Sequence, residues 1–382
     1  MGSRDRIRIL YFVNTTVRAG VEEHVLSLVE RLDRNEFDIS LACPEELISS
    51  MEDELRRTGA RLLPVRISGW RQVDRVRRLL GFMKKERIDI VHSHMFISTF
   101  FAAPIARMAG VPVVVDTSHG REAWRRSRLG RSFVVDRFIA RFVDRVIAVS
   151  EDTARYLVNE KGISADKVTV IHNGRDLSRF DPVRSANGLR KSLGIAKEDI
   201  TITVVGRLEP QKGHRYFFEA LPPLMERHPN VKALIVGDGS LESELKEQCS
   251  RLGISDRVVF TGFLNDVPEV LSLSDVVVLP SLYEGLPLTA IEASAMARPV
   301  IATAVDGTPE VIMDGRTGIL VRPKDPEGLR DAMFRLVTDE ATRRSYGDMG
   351  RRTVTERFSL DRQVKRTAVL YRELMNAKRL GT

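Results

Sequence analysis

A chain of 382 residues with 43% hydrophobic residues is too long for one ordinary core and too apolar for wholesale disorder, so two domains of roughly 180 residues each are expected. Its two cysteines, Cys43 and Cys249, lie far apart, match no metal or disulfide spacing and fit a reducing compartment. The net charge of +8 is unevenly placed. Residues 1–180 hold 31 basic and 24 acidic groups, 181–350 hold 20 and 25, and 351–382 hold 9 and 3. A basic first half and tail around an acidic middle point to one face built for an anionic partner, with arginine-rich composition alone as the plainer reading.

The N-terminus passes straight into a strand-like run with no signal-peptide pattern, and no apolar stretch reaches the roughly 18 residues that span a bilayer. A cytoplasmic protein is expected. Val- and Ile-rich runs at Ile7–Val13, Phe37–Ala42, Ile88–His92, Val111–Asp116, Arg145–Val149 and Val168–Ile171 read as strands buried on both faces. Helical patterns such as Glu22–Leu32, Gln72–Lys85 and Phe133–Phe142 lie between them. The stretch 176–197, with Asp181-Pro182 and Asn187-Gly188, reads as a linker. Alternation restarts at Ile200–Val205, Ala233–Val236, Val258–Phe260, Val276–Leu279, Val300–Ala302 and Ile319–Val321, and from Asp325 onward the pattern is helical. The reading is α/β, two βαβ domains in tandem over 1–180 and 181–358, with a helical segment 359–382 that returns to the first domain.

In such sheets ligands bind beyond the carboxyl ends of the strands, and the informative residues fall there. Gly206-Arg207-Leu208-Glu209-Pro210-Gln211-Lys212-Gly213 follows one strand. A guanidinium and an ammonium at a strand exit suit a diphosphate; the alternative is an exposed loop with ordinary charges. After Val276–Leu279 come Glu284-Gly285-Leu286-Pro287-Leu288-Thr289 and, one helix turn further, Glu292. The amides of Leu286, Leu288 and Thr289 would open a helix as an anion site, with Pro287 near the first helical position. Glu284 is placed to accept from sugar hydroxyls and Glu292 to grip a ribose diol; a capping carboxylate and a solvated helix residue are the alternatives.

Arg207, Lys212 and Glu284-x7-Glu292 resemble the retaining glycosyltransferases of family 4, which have two Rossmann-like domains facing across a cleft, the GT-B fold. Ala19-Gly20-Val21-Glu22 is similar to the family's first glycine loop, with Ala19 replacing its first glycine. His92-Ser93-His94, Asp116-Thr117-Ser118-His119-Gly120, His172-Asn173-Gly174, Val236-Gly237-Asp238-Gly239 and Thr261-Gly262-Phe263 follow in the family's order, with Arg175 where a small apolar residue is usual. The resemblance implies that Arg207 and Lys212 hold the donor diphosphate, Glu284 contacts the transferred sugar and Glu292 the ribose. It further implies that Gly237 lies in the nucleotide site, that the backbone at Phe263 and Leu264 receives the base, that His119 lies beside the reacting sugar, and that Gly20 lets the first loop approach donor and acceptor.

No Asp-x-Asp occurs in the chain, so no carboxylate metal clamp is expected and the protein cations take its place. The His92/His94 pair has no third ligand at useful spacing, so neither a metal nor another cofactor is expected beyond a UDP- or GDP-sugar substrate. Two basic segments mark the first domain. Arg71, Arg75 and Arg78 share a helical face, and Arg125 and Arg126 with their neighbours surround Trp124. Together with His94 these mark an acceptor side that docks on the anionic inner face of the plasma membrane and takes a lipid-linked or cell-envelope glycan; a solvated face is the alternative. Two rival functions remain: a nucleotide-sugar 2-epimerase on the same fold, and a nucleic-acid-binding module, which the acidic middle leaves without support.

Overall fold

The computed structural model describes residues 6–16, 20–121 and 133–381, and among them the chain divides into two compact units. One comprises Met1–Asn173 together with Leu360–Thr382, and the other Gly174–Ser359.

In the first unit, seven parallel strands run β1 (Ile7–Phe12), β2 (Phe37–Cys43), β3 (Arg61–Pro64), β4 (Ile90–His94), β5 (Val113–Ser118), β6 (Arg145–Ala148) and β7 (Val168–Val170), in the sheet order β3-β2-β1-β4-β5-β6-β7. The two-residue period of a strand sends Ile9 and Tyr11 into the core on one face and Leu10 and Phe12 into the core on the other. Such doubly buried strands are why the hydrophobic runs read so clearly. β3 is different: its residues Arg61 and Leu62 are exposed, and it ends on Pro64 at the sheet edge, where a missing donor is tolerated. That edge strand carries no continuous apolar signal and is absent from the sequence reading.

The helix Leu360–Leu380 belongs to this unit, and Ala368, Leu370, Tyr371, Leu374 and Met375 complete the core beneath β1 and β2. Tyr371 is fully buried, and its hydroxyl lies 2.9 Å from that of Tyr11.

The second unit has β8 (Ile200–Val205), β9 (Val231–Val236), β10 (Val258–Gly262), β11 (Val276–Leu279), β12 (Val300–Thr303) and β13 (Gly318–Val321) in the order β10-β9-β8-β11-β12-β13, again all parallel. The stretch read as a linker is not featureless. It holds the helix Asn187–Ser192, whose Leu189 packs with Leu193 and Ile195 onto Leu234, Val236, Val270 and Leu273. Asn187-Gly188 therefore opens a short helix instead of marking a turn.

Both sheets reverse their strand order once, between β1 and β4 and between β8 and β11. Those reversals leave crevices at the carboxyl ends of the strands, where ligands of doubly wound sheets bind. Both cysteines are buried in cores as small hydrophobes, and burial pushes the Cys43 thiol up to about 12 and the Cys249 thiol to about 11, so neither is a nucleophile.

Candidate active site

At the β8/β11 reversal, two loops are tied together by backbone. Gln211 carbonyl accepts from the Leu282 amide at 2.7 Å, and the Gln211 side chain donates to the Tyr283 carbonyl at 3.0 Å. Close approach is set by glycine. Gly213 has φ 67°, and a Cβ there would lie 2.0 Å from the Pro280 carbonyl oxygen; a Cβ on Gly237 would lie 2.2 Å from that of Gly206. Gly237 thus serves packing of the β8 and β9 loops, its amide donating to the Gly262 carbonyl at 2.9 Å.

The Lys212 stem lies along Gly206, and its ammonium reaches Glu284 Oε1 at 2.7 Å. Ser281 Oγ donates to the same oxygen at 2.8 Å, and the Glu284 amide donates to Asp306 Oδ2 at 2.8 Å. Asp306 itself sits at φ 42°, a left-handed backbone that a non-glycine residue holds only when its surroundings compel it. Glu284 is therefore a buried, fixed carboxylate beside a fixed cation. Arg207, by contrast, is exposed and has no side-chain partner among the described residues.

The helix Leu288–Ala295 begins directly after Pro287, which is its extended N-cap residue. Among the described residues the amides of Gly285, Leu286, Leu288 and Thr289 take no hydrogen bond, so a helix N-terminus with open donors faces the loop that carries Glu284. Every residue from Ala290 to Ala295 is buried. Glu292 is hence no solvated helix residue: its carboxylate pairs with the Arg175 guanidinium, with Nε 2.5 Å from Oε1. At the end of β10, Phe263 is 67% exposed, an aromatic face open to a partner, whereas Leu264 packs against the core that holds Val236 and Leu273.

In the first unit, β4 extends two residues beyond the predicted end, so His94 and not His92 is its terminus. Both ring nitrogens of His92 are engaged, Nδ1 with the Tyr371 hydroxyl at 2.5 Å and Nε2 with Thr117 Oγ1 at 2.7 Å. His94 stacks on His92 with ring centroids 4.4 Å apart, and its Nδ1 lies 3.1 Å from His119 Nε2. His24 stands edge-on to His94 and His119, and the Gln363 amide meets its Nδ1 at 3.1 Å. Folding does not complete the His92/His94 pair, since both His92 nitrogens are taken, but it gathers His94 with two other histidines. Ring nitrogens of His24, His94 and His119 lie within 4.8 Å of one another, and among the described residues this is the group able to hold a metal.

Gly20 opens the helix Gly20–Arg31 at the end of the first loop, and Glu22 on that helix is buried and accepts from the Thr15 hydroxyl. Arg71 lies in the turn before the helix Val73–Lys85 instead of on it; Arg75 and Arg78 are on the helix, and all three are exposed. Ala19, Trp124, Arg125 and Arg126 lie outside the described residues.

Sequence reasoning missed His24, Asp306, Gln363 and Tyr371. His24 had one usable signal, being one helical turn after Gly20 and so on the loop end of its helix. The other three gave none, since Gln363 and Tyr371 meet histidines 339 and 279 residues away in the chain.

Burial holds this cluster neutral. It lowers His24 to about 4, against an opposing hydrogen bond from Asn173, and His92, His94 and His119 well below the ordinary value of 6.5, with neighbouring histidines adding to the shift. His214, on the helix after Gly213, is lowered to about 4 by burial and then by the Lys212 charge. In the unfolded chain these rings take up protons below about 6.5, while the folded ones resist protonation to lower pH, His24 and His214 to about 4. The unfolded state then binds more protons, so stability present above pH 6.5 is lost as pH falls toward 4, by about 3 kcal/mol each for His24 and His214. Urea midpoints are expected to fall steeply between pH 6.5 and 4; a midpoint flat across that window contradicts a neutral cluster.

Residues 186–353 match the family described as Glycosyl transferases group 1, and residues 18–179 match Glycosyltransferase Family 4. An Escherichia coli relative is the UDP-Gal:alpha-D-GlcNAc-diphosphoundecaprenol alpha-1,3-galactosyltransferase. It is 31% identical over 382 residues, covering 98% of each chain. The chain belongs to glycosyltransferase family 4. A second relative of the enzyme, the lipopolysaccharide core biosynthesis mannosyltransferase LpsB of Rhizobium meliloti, is 30% identical over 63% of this chain and 68% of its own. Among solved structures, Anabaena HepE in complex with UDP-glucose matches with a TM-score of 0.83 at 21% identity, over 96% of this chain and 99% of the other. That likeness gives the GT-B fold.

This glycosyltransferase uses a nucleotide-sugar donor. Lys212, Arg207 and the open helix amides are positive where a diphosphate is negative, and Glu284 accepts hydrogen bonds from hydroxyls.

Proposed function

We propose that the enzyme is a retaining glycosyltransferase that moves a hexose from a UDP-sugar to a sugar carried on a polyprenyl diphosphate. The observation that carries the donor half is the Lys212–Glu284 pair at 2.7 Å on the β8/β11 reversal, beside the open amides of Gly285, Leu286, Leu288 and Thr289. Glycosyl–phosphate cleavage builds negative charge on the diphosphate, and preorganised cations and amides lower that barrier. Glu284 is bound by Lys212 and Ser281, which suits hydrogen bonding to the sugar better than attack on its anomeric carbon. Same-face attack by the acceptor, with the departing diphosphate taking the acceptor proton, keeps the configuration without a carboxylate nucleophile.

The acceptor half rests on the relative that acts on a diphosphoundecaprenol-linked sugar and on the surface of the first unit. Trp70, Val73, Ile97, Val134, Val135 and Phe138 expose 42%, 48%, 53%, 60%, 46% and 53% of their surface. Trp70 lies in the turn before Val73–Lys85 with its ring against Phe100 and Phe101, the helices Val73–Lys85 and Val134–Ile139 both pack on Phe96–Ala109, and Arg71, Arg75 and Arg78 belong to the same segment as Trp70 and Val73. Apolar side chains flanked by arginines are what a protein uses to lie on an anionic bilayer. No helix among the described residues is long and apolar enough to cross one.

Flotation tests this reading. The enzyme is expected to float with vesicles containing anionic lipid at low salt, and a Val134→Asp, Phe138→Asp variant to remain at the bottom with its UDP affinity unchanged. Equal flotation of the two proteins, or none by the wild type, overturns the membrane surface.

A further inference from the structure

The Glu292 carboxylate is not presented alone. Both Arg175 nitrogens that reach it, Nε and Nη2, fall on the same oxygen, Oε1. The guanidinium therefore does not fork across the carboxylate, and Oε2 has no partner among the described residues. One oxygen is saturated and the other is open to a hydroxyl donor. The side chain of Glu292 is only 5% exposed, and an ionised carboxylate so deeply placed needs a cation to remain charged while the donor is away.

Arg175 is itself anchored. Its amide donates to the Phe358 carbonyl at 3.0 Å, and its backbone bridges to Ser359. The far end of the Glu292 helix is held in a similar manner, Arg351 donating to the Ala295 carbonyl at 2.5 Å and to that of Phe180 at 3.1 Å. The helix that carries Glu292 is thus fixed by an arginine at each side, and among the described residues Arg175 is the cation that pairs with the carboxylate.

We propose that Arg175 is a positioning residue for donor recognition, which turns Glu292 so that Oε2 meets the ribose diol of the nucleotide. This rests on the reading of Glu292 as the ribose contact. It is a property of this chain's own sequence, since a small apolar side chain at position 175 offers Glu292 nothing.

The test needs only nucleotide. UDP and 2′,3′-dideoxy-UDP are titrated calorimetrically into the wild type, Arg175→Val, Arg175→Lys and Glu292→Gln, each checked for an unchanged melting profile. Arg175→Val is expected to weaken UDP about tenfold and dideoxy-UDP less than twofold, because the loss acts through the diol; Arg175→Lys, which reaches one oxygen without the planar group, recovers part of it. Should Arg175→Val fail to fold, Arg175→Lys alone decides, with a loss for UDP that vanishes for the dideoxy ligand. Equal losses for both ligands, or none for UDP, overturn the proposal. If Glu292→Gln also fails to distinguish the ligands, the ribose reading of Glu292 falls with it; if Glu292→Gln distinguishes them and Arg175→Val does not, only the role of Arg175 falls.

Discussion

Replacing Lys212 with alanine is expected to lower kcat by a factor of about 10²–10³ while the protein keeps its melting profile within a few degrees. The factor corresponds to about 2.7–4 kcal/mol, the usual worth of one preorganised donor at a developing charge. Lys212 is held for this task before any substrate arrives. Its stem rests along Gly206, and its ammonium is fixed on Glu284 at 2.7 Å, so no reorganisation is spent at the moment of cleavage. Arg207 is exposed and unfixed, and its removal should cost less. Lys212→Arg keeps the charge but replaces a compact ammonium by a longer plane, and partial activity is expected. Release of UDP from a UDP-sugar in the presence of acceptor reads all three. A Lys212→Ala variant retaining more than a tenth of wild-type kcat would show that the diphosphate is stabilised elsewhere.

Tyr371→Ala should remove about 3–5 kcal/mol of stability from the first unit. The ring is wholly buried beside Phe37, with centroids 6.0 Å apart, and its hydroxyl meets the Tyr11 hydroxyl and His92 Nδ1. Tyr371→Phe keeps the ring but strands the Tyr11 hydroxyl and His92 Nδ1 in a buried site, for a smaller loss of about 1–3 kcal/mol. Because two units need not unfold together, a single melting temperature is a poor readout. Hydrogen exchange resolved by peptide is the better one. Protection is expected to fall in β1, β4 and the helix Leu360–Leu380 and to persist in β8, β9 and β11. A uniform change across both units would place Tyr371 outside the role given to it.

What was legible in the sequence follows from range. Strands buried on both faces advertise themselves as short Val- and Ile-rich runs, and β1, β8 and β11 were all visible for that reason. The second-unit candidate site is legible because its parts are local: Lys212 and Gly206 share one loop, and Glu284, Pro287 and Glu292 share one loop-helix segment. The edge strand β3, half exposed, fell below the signal. The helix Asn187–Ser192 was hidden by an Asn-Gly pair that usually marks a turn. The histidine cluster was only half legible, because His24, His94 and His119 come from a helix, a strand end and a loop, and the fold alone brings their rings together. Gln363 and Tyr371 lie on a helix whose polar residues look no different from those of any amphipathic tail. Arg175 was noticed as a departure at its position, yet its partner was not, since nothing local connects it with Glu292.

The net charge of +8 is also localised by the fold. Leu360–Leu380, part of the basic tail, belongs to the basic first unit, and the acidic segment belongs to the second unit. A nucleic-acid role draws on the summed charge alone, whereas the exposed Trp70, Val73 and Phe138 beside the arginines give the basic unit an apolar surface that nucleic acid would not require.

The most direct measurement is the anomeric configuration of the product. Wild-type enzyme is incubated with a UDP-hexose and the proposed polyprenyl-diphosphate sugar acceptor, and the new glycosidic linkage is assigned by proton coupling at the anomeric carbon. The expected result is one added hexose per acceptor, with the donor's configuration preserved and one UDP released per transfer. An inverted linkage, or a donor sugar that is epimerised and not transferred, would contradict it.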